Sequence, residues 1–231
     1  GAGDEFDTIN GGSGTDTVRI AGSTTPVLGG FNAKASSIEA WFGDVNGNDG
    51  ANVFDFRGLT AESQVSVFSG GGDDTITAHS FGMQMLGEAG RDTVIGGSSG
   101  DLVVGGLGAD TLTGNAGGDF FAYIDIKDSG PKKSLRDTIT DFEAKSDKIW
   151  LFIDANTSKN DFQVFKFVKK EGAAFKSKPG SVIWEQIDKA GTAKDMTVVY
   201  ADNNGDQKAD MAIQLKGLVD LKAGDFFFGF G

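Results

Sequence analysis

A run of nine-residue repeats between Ser69 and Ala122 is the feature that most restricts what this chain can fold into. Nearly every copy carries an aspartate in its sixth place and an apolar residue in its eighth. The clearest copy runs from Gly105 to Thr113 and has glycine in its first, second and fourth places. The next copy, Gly114 to Ala122, follows without a gap, so the pattern predicts stacked structural units and leaves little room for other chemistry.

The residue types in each repeat predict a tight loop followed by a short strand. Glycine permits backbone angles that a Cβ would forbid, so the loop can turn its carbonyl oxygens toward one point. The aspartate adds a carboxylate there, and an oxygen-only ligand set suits Ca²⁺. The eighth residue points inward, by the alternation of side chains along a strand. Two repeats make one coil of 18 residues, which predicts an all-β fold: a right-handed parallel β-roll or β-helix that binds several calcium ions between stacked loops.

The nine-residue step predicts two columns of acidic ligands, one on each side of the solenoid. The first column is expected to contain Asp16, Asp49, Asp74, Asp92, Asp110 and Asp128. The second is expected to contain Asp7, then three loops without ligands, then Asp101, Asp119 and Asp137. One of those loops ends at Met83, where the aspartate is lost, and no calcium is expected there.

Calcium is expected to bridge aspartates that are two repeats apart in the sequence. The expected pairs are Asp74/Asp92, Asp92/Asp110, Asp101/Asp119, Asp110/Asp128 and Asp119/Asp137. Backbone carbonyl ligands are expected from the loop residues Gly71, Gly87, Ala89, Gly90, Gly96, Ser98, Gly105, Gly106, Leu107, Gly108, Asn115 and Gly117.

The composition limits the classes of partner that the chain can bind, and it indicates that folding depends on calcium. The net charge of −12 argues against nucleic acid as a partner. No apolar run approaches the ~18 residues of a membrane-spanning helix, so no membrane insertion is expected. Without cations the aspartates repel one another and the short strands bury little apolar surface, so calcium binding should supply the free energy of folding. Extracellular calcium modules have dissociation constants of roughly 10⁻⁴–10⁻³ M, which predicts folding outside the cell and not inside it.

The rest of the chain reads as further strands. Residues 20–68 are expected to form irregular coils, and 69–140 regular ones, of a solenoid that spans 1–140. Residues 141–231 are expected to form a β-rich cap over its open end. The predicted strands are Ile38–Phe42, Val53–Phe56, Val65–Phe68, Val164–Val168, Val182–Glu185, Thr197–Tyr200 and Met211–Leu215, while Leu221–Phe227 leaves helix and strand open.

Catalytic readings of the sequence are weaker than the calcium reading. The residues around Ser98 match the spelling of a nucleophile elbow, but they lie inside a repeat and lack the required strand–turn–helix context. His79 is the single histidine, so a two-histidine zinc motif is excluded.

The acidic loops that begin at Asp44 and Asp202 each lack the glycine that an EF-hand needs in its sixth place. A polar hairpin turn is the preferred reading of the loop at Asp202, and no active site is expected.

Several motifs give the chain a resemblance to known families. The repeats resemble those of RTX exoproteins, and residues 114–228 resemble the C-terminal domain of serralysin-type secreted metalloproteases. The shared motifs are Asp119-Phe120-Phe121-Ala122-Tyr123, Asp137-Thr138-Ile139-Thr140-Asp141-Phe142, Asp147-Lys148-Ile149-Trp150-Leu151, the stretch Asp202 to Asp210, Gly217-Leu218-Val219-Asp220-Leu221 and Asp225-Phe226-Phe227-Phe228.

This resemblance implies a β-roll followed by a β-sandwich-like cap. It also implies export through the type I secretion machinery of a bacterium, guided by an uncleaved C-terminal signal. Two departures are visible: Gly229-Phe230-Gly231 extends the usual hydrophobic ending, and Trp150 stands where the family usually has an aspartate.

The favoured hypothesis is a calcium-dependent folding and secretion module of a larger bacterial exoprotein, secreted or held at the cell surface, with an upstream domain in the same chain. A calcium-dependent adhesin or surface-layer piece is an alternative. A further alternative is the non-catalytic tail of a secreted protease or polysaccharide-modifying enzyme.

Overall fold

The computed structural model describes residues 13–19, 28–156, 162–188 and 191–229, and these are almost entirely strands and loops. The early elements are β1 (Thr17–Arg19), β2 (Gly30–Asn32), α1 (Ala33–Ser36), β3 (Ala40–Asn46), β4 (Val53–Asp55), β5 (Gln64–Phe68), β6 (Thr75–Thr77), β7 (Gln84–Leu86), β8 (Ala89–Gly90), β9 (Thr93–Ile95), β10 (Leu102–Val104), β11 (Leu107–Gly108), β12 (Thr111–Thr113) and β13 (Phe120–Tyr123). The later strands are β14 (Asp137–Ile139), β15 (Lys148–Leu151), β16 (Lys166–Phe167), β17 (Ser181–Ile187), β18 (Met196–Asp202), β19 (Met211–Lys216) and β20 (Phe226–Phe228), with 3₁₀ turns at Lys133–Leu135 and Ala223–Asp225.

The chain alternates between two sheets as it winds. The eight-stranded sheet has the order β1-β3-β5-β7-β10-β13-β15-β20. The ten-stranded sheet has the order β16-β17-β18-β19-β14-β12-β9-β6-β4-β2, and β8 and β11 form a separate two-stranded sheet. Between β1 and β15 every pairing is parallel, which confirms the predicted parallel β-roll.

The regular coils have the predicted length of 18 residues. Thr75 pairs with Thr93, and Thr93 pairs with Thr111, each in the same register. The middle residues of these strands, Ile76, Val94 and Leu112, are buried between the sheets. Met85, Val103 and Phe121 are buried from the eight-stranded side and complete one continuous apolar core. The inward position of the eighth place is therefore as expected.

Coils on either side of this region are longer. Gly30 pairs with Val53 and Val53 with Thr75, so the early coils contain 23 and 22 residues. Beyond β12 the step changes again, because Thr111 pairs with Thr138, 27 residues later. The expectation of regular repeats up to residue 140 is therefore wrong: an extra loop, which contains the first 3₁₀ turn, lies between β13 and β14.

The C-terminal strands extend both sheets of the roll. Strands β17, β18 and β19 form an antiparallel meander, and β19 then pairs in parallel with β14. Strand β20 pairs in parallel with β15 and closes the eight-stranded sheet. Both sheets thus run across residue 140, and a domain boundary at that point stays a prediction. Among the described residues no helix is long and apolar enough to cross a membrane.

Two neighbouring phenylalanines on β13 test which side chains point into the core and which point toward solvent. Phe121 is 0% exposed, whereas Phe120 is 38% exposed. We expect Phe121→Ala to lower the free energy of unfolding by about 3–5 kcal/mol, because it leaves a cavity in the core. Phe120→Ala, the matched control, should lower it by about 1 kcal/mol or less. Urea unfolding at one fixed calcium concentration measures both, and equal losses would contradict the assignment.

Candidate metal centre

One ladder of acidic side chains precedes the strands of the ten-stranded sheet. We call it ladder I, and it consists of Asn52, Asp74, Asp92, Asp110 and Asp137. The Asp74 backbone N–H donates to Oδ1 of Asp92 (2.8 Å), and the Asp92 N–H donates to Oδ1 of Asp110 (2.8 Å). The same bond joins Asn52 to Asp74 (2.7 Å) and Asp110 to Asp137 (3.0 Å). Each aspartate is buried, and its Oδ1 ties its own loop to the preceding coil.

A second ladder precedes the strands of the eight-stranded sheet. Ladder II consists of Met83, Asp101, Asp119 and Asp147. The N–H of Met83 donates to Oδ1 of Asp101 (2.7 Å), and that of Asp101 donates to Oδ1 of Asp119 (2.8 Å). The N–H of Asp119 donates to Oδ1 of Asp147 (3.1 Å). The two sides of the roll therefore use the same bond.

The second carboxylate oxygens divide the aspartates into two groups. Oδ2 is buried without a hydrogen-bond partner, within the described part of the chain, in Asp74, Asp92, Asp110, Asp119 and Asp137. The corresponding oxygens of Asp101 and Asp147 are satisfied, since they accept from the N–H groups of Gly97 (2.7 Å) and Glu143 (2.8 Å). Because a buried unpaired carboxylate oxygen is costly, the first group is the set that a cation or a proton would stabilise.

A glycine in the first place of a repeat leaves room for this oxygen. A Cβ built on Gly87 would lie closer than 3.0 Å to Oδ2 of Asp92, and one on Gly105 would crowd Asp110 in the same way. Gly96 stands in this relation to Asp101. The glycines are therefore required by a close approach of carboxylate to backbone, in addition to the turn itself.

Several of the predicted carbonyl ligands already accept one hydrogen bond. The carbonyl of Gly87 accepts from the Ser69 hydroxyl (2.8 Å), and that of Gly96 from the Asn115 side-chain amide (2.7 Å). Since a carbonyl oxygen has two lone pairs, a cation can share it. The role of Gly71, Gly87, Ala89, Gly90, Gly96, Ser98, Gly105, Gly106, Leu107, Gly108, Asn115 and Gly117 as ligands stays a prediction.

The structure changes the predicted partners of two aspartates. Asp137, and not Asp128, follows Asp110 in its ladder, and Asp147, and not Asp137, follows Asp119. The hydrogen-bonded neighbours are therefore Asp110/Asp137 and Asp119/Asp147, so Asp119 and Asp137 lie on different ladders and their expected pairing is wrong. The cause is the extra loop before β14, in which Oδ2 of Asp128 accepts from the N–H groups of two loop residues, Ile124 and Asp125. A calcium ion shared by Asp110 and Asp128 stays a prediction, since the two charges lie close enough to interact.

The N-terminal ligand predictions also need correction. Asn52, and not Asp49, occupies the ladder I position before Asp74, and Asp49 is exposed. Asp16 precedes β1 of the eight-stranded sheet, so it lies on the ladder II side, where its N–H donates to Oε2 of Glu39 (2.7 Å). Asp7 lies outside the described residues.

Sequence reasoning missed three residues of this arrangement: Asp147, Asn52 and Glu39. Asp147 had a visible signal, because Asp147-Lys148-Ile149 repeats the aspartate–x–apolar ending of a nonapeptide. Asn52 and Glu39 had none, since each lies in a coil of 22 or 23 residues in which counting by nine fails.

The other polar candidates make local hydrogen bonds. The Ser98 hydroxyl donates to the Ser80 carbonyl (3.1 Å). Nδ1 of His79 accepts from the Phe81 N–H (2.8 Å), and burial lowers the pKa of His79 to about 4. The buried carboxylate of Asp202 accepts three N–H groups of its own turn between β18 and β19, which agrees with a polar hairpin.

Burial dominates the electrostatics of the ladders. It raises the pKa of Asp92 and of Asp119 to about 7, and that of Asp110 to about 6. It raises the pKa of Asp137 to about 9, with a further contribution from the charge of Asp110. The cause is the removal of charged carboxylates from water, and a bound cation would reverse these shifts.

The donor chemistry fits calcium. Among the described residues no group of three or more His, Cys, Asp or Glu side chains converges on one point. A site made of two carboxylates and several loop carbonyls does not need three such side chains, and oxygen ligands of this kind suit Ca²⁺. The unpaired Oδ2 atoms of Asp92 and Asp110 lie in the loops that the sequence predicts to share an ion. Their role as ligands stays a prediction.

The raised pKa values predict that acid partly replaces calcium. The folded-state pKa of Asp92 and Asp119 is about 7, against about 3.9 in an unfolded chain. The metal-free folded state therefore binds more protons between about pH 4 and pH 7, and its stability falls as the pH rises through this interval. Circular dichroism in resin-treated, calcium-free buffer should show more β-structure near pH 5 than near pH 8. A flat profile would contradict the shifts.

The chain was compared with known proteins. No curated protein matches it. The solved structures that resemble it include the AlgE6R2 and AlgE6R3 subunits of the mannuronan C5-epimerase from Azotobacter vinelandii. The first has 18% identity and a TM-score of 0.36 over 80% of this chain and 89% of that chain. The second has 19% identity and a TM-score of 0.36 over 97% and 85%. The family model described as Peptidase M10 serralysin C terminal matches residues 7–228, so the chain belongs to that family.

Proposed function

We propose that the chain is a calcium-dependent folding and type I secretion module of a secreted bacterial protein. The observation that carries the proposal is the set of five buried ladder Oδ2 atoms without hydrogen-bond partners among the described residues, in Asp74, Asp92, Asp110, Asp119 and Asp137; Asp16, outside the two ladders, has a sixth such atom. Each ladder carboxylate of this set is held in place by its own Oδ1 bond, and at Asp92, Asp110 and Asp119 a glycine leaves room for the second oxygen. These carboxylates are arranged to receive a cation, and no catalysis is part of the proposal.

The free energy of folding then depends on the ion. The regular strands are three residues long, so each coil gains little from apolar burial against the chain entropy that it loses. The buried like charges on neighbouring coils oppose stacking further. When calcium is bound it supplies the positive charge that these oxygens lack, so its binding free energy becomes folding free energy.

Family membership and this coupling together support the export role. Calcium is scarce inside cells, so the chain stays unfolded and can pass through a narrow secretion channel. Outside the cell, calcium near the ~10⁻³ M range would fold the chain and favour its release in the folded form.

A second candidate function, calcium-dependent lateral association, is favoured by one feature of the surface. The outer face of the eight-stranded sheet carries an apolar groove of about 450 Å³ lined by Phe68, Leu86, Val104, Ile124 and Trp150, among others. Apolar patches of this kind mark protein contacts. Sedimentation velocity with and without calcium separates the candidates: a folding module stays monomeric in both, and an adhesin piece associates when calcium is present.

Calcium should convert the chain from unfolded to folded. We expect the β-sheet signal in circular dichroism to appear as calcium rises to about 5 mM and to disappear when a chelator is added, because the ions neutralise the buried oxygens. Magnesium at the same concentration should not replace it, since Mg²⁺ demands octahedral geometry and keeps its waters. Identical spectra and melting curves with chelator and with calcium would refute the proposal.

The two kinds of ladder aspartate should respond differently to loss of charge. Asp92→Asn removes an unpaired Oδ2, so it should raise the calcium concentration at the folding midpoint by about tenfold. Asp101→Asn is the matched control, because Gly97 already satisfies its Oδ2. It should shift the midpoint by less than about threefold. The midpoint is read from calcium titrations followed by circular dichroism, and equal shifts would show that the unpaired oxygens are not the ligands.

A further inference from the structure

One segment of this acidic chain is strongly basic. Residues 162–180 contain five lysines and one glutamate, a net charge of +4, whereas the whole chain carries −12. The lysines are Lys166, Lys169, Lys170, Lys176 and Lys178, and all five are exposed. The ion pairs among the described residues are Arg57–Asp55 and Lys222–Asp220, so none of the five has an acidic partner there.

Four of these lysines line one groove. Its volume is about 1290 Å³, and it is formed by residues around β16 and by the segment 175–181 that leads into β17. Apolar side chains, among them Phe167, Val168 and Phe175, lie between the lysines. A concave site with this mixture of charged and apolar groups suits an extended chain with negative charges.

The groove adjoins an open sheet edge. Strand β16 is the terminal strand of the ten-stranded sheet. The Lys166 N–H donates to the Gly180 carbonyl, and the Val168 N–H donates to the Val182 carbonyl, both at 2.8 Å. Because alternate residues of a parallel strand bond to the same neighbour, the N–H and C=O of Phe167 face away from β17. No backbone partner for them occurs in the part of the chain that the structure describes.

We propose that this edge and groove bind an extended acidic peptide segment of a partner protein by strand addition. Main-chain hydrogen bonds to Phe167 would hold the segment, and carboxylates on alternate residues would face the lysines. Lysines at an edge oppose pairing with neutral or basic strands, so the same residues select acidic ones. A recessed groove beside an unpaired strand favours a peptide over an anionic lipid surface, which needs a convex or flat basic face.

Three capped peptides of ~8 residues test the proposal on the full chain in about 5 mM calcium. The first alternates glutamate and valine, the second has lysine for glutamate, and the third is the first peptide with alternate backbone nitrogens methylated. We expect fluorescence anisotropy to show binding of the first peptide that is at least about tenfold tighter than that of either other. Binding of the first peptide should weaken as sodium chloride rises, because exposed charges are screened.

Charge reversal locates the site. Lys166→Glu, Lys169→Glu and Lys176→Glu together should weaken binding of the first peptide by about tenfold or more. Lys127→Glu, Lys132→Glu and Lys133→Glu make the same change of charge at exposed lysines elsewhere, and should weaken it by less than about threefold. Circular dichroism checks that both triple variants remain folded, and the methylated peptide tests edge pairing without altering the protein.

Three outcomes would overturn the proposal. Equal binding of the methylated and parent peptides would exclude strand addition. Equal losses in the two triple variants would mean that binding follows overall charge and not the groove. Binding to vesicles with about 30% phosphatidylserine that depends on Lys166, Lys169 and Lys176, without binding of the first peptide, would assign the surface to a membrane instead.

Discussion

The structure depends on the different roles of the two carboxylate oxygens in five of the ladder aspartates, Asp74, Asp92, Asp110, Asp119 and Asp137. Oδ1 accepts the backbone N–H of the preceding coil, as Asp92 does from Asp74, and so fixes the distance between coils. Oδ2 is left over, buried and without a proton donor, as in Asp92 and Asp110. The hydrogen bond to Oδ1 holds neighbouring coils together, and Oδ2 adds an unpaired negative charge between them. A fold made in this way gains stability when a cation or a proton neutralises the charge on Oδ2.

The glycines and the short strands follow from this constraint. The backbone at Gly87 and Gly105 passes so close to a carboxylate that no Cβ fits, so the loop cannot relax away from the charge. The strands add one buried side chain each, such as Val94 or Leu112, which supplies a modest apolar gain per coil. The turns and the core therefore compensate little for several unpaired carboxylates, which is why we propose that an external cation does so.

The periodic part of the fold could be predicted from the sequence, and the interrupted part could not. Between Thr75 and Thr113 the loops, the strands and the inward residues follow from the nine-residue step. A count by nine cannot detect an inserted loop, so it assigned Asp128 to the place that Asp137 holds. A search for the aspartate–x–apolar end of a nonapeptide would have found Asp147. The start of a strand depends on its own residues and not on the number of residues since the previous strand. No local signal marks Asn52, where an amide replaces the carboxylate.

The positions of the lysine and arginine side chains indicate what can neutralise the ladder aspartates. The chain contains 21 lysines and arginines against 33 acidic residues. The two ion pairs found among the described residues, Arg57–Asp55 and Lys222–Asp220, leave every ladder aspartate unpaired. The densest group of lysines lies around β16, which β17, β18 and β19 separate from β14 and ladder I in the ten-stranded sheet. A lysine also could not serve several oxygens in so narrow a space, whereas a small divalent ion can coordinate six to eight. A neutralising ion for the ladders would therefore come from solution, and the lysines around β16 would be available to the anionic partner that we propose.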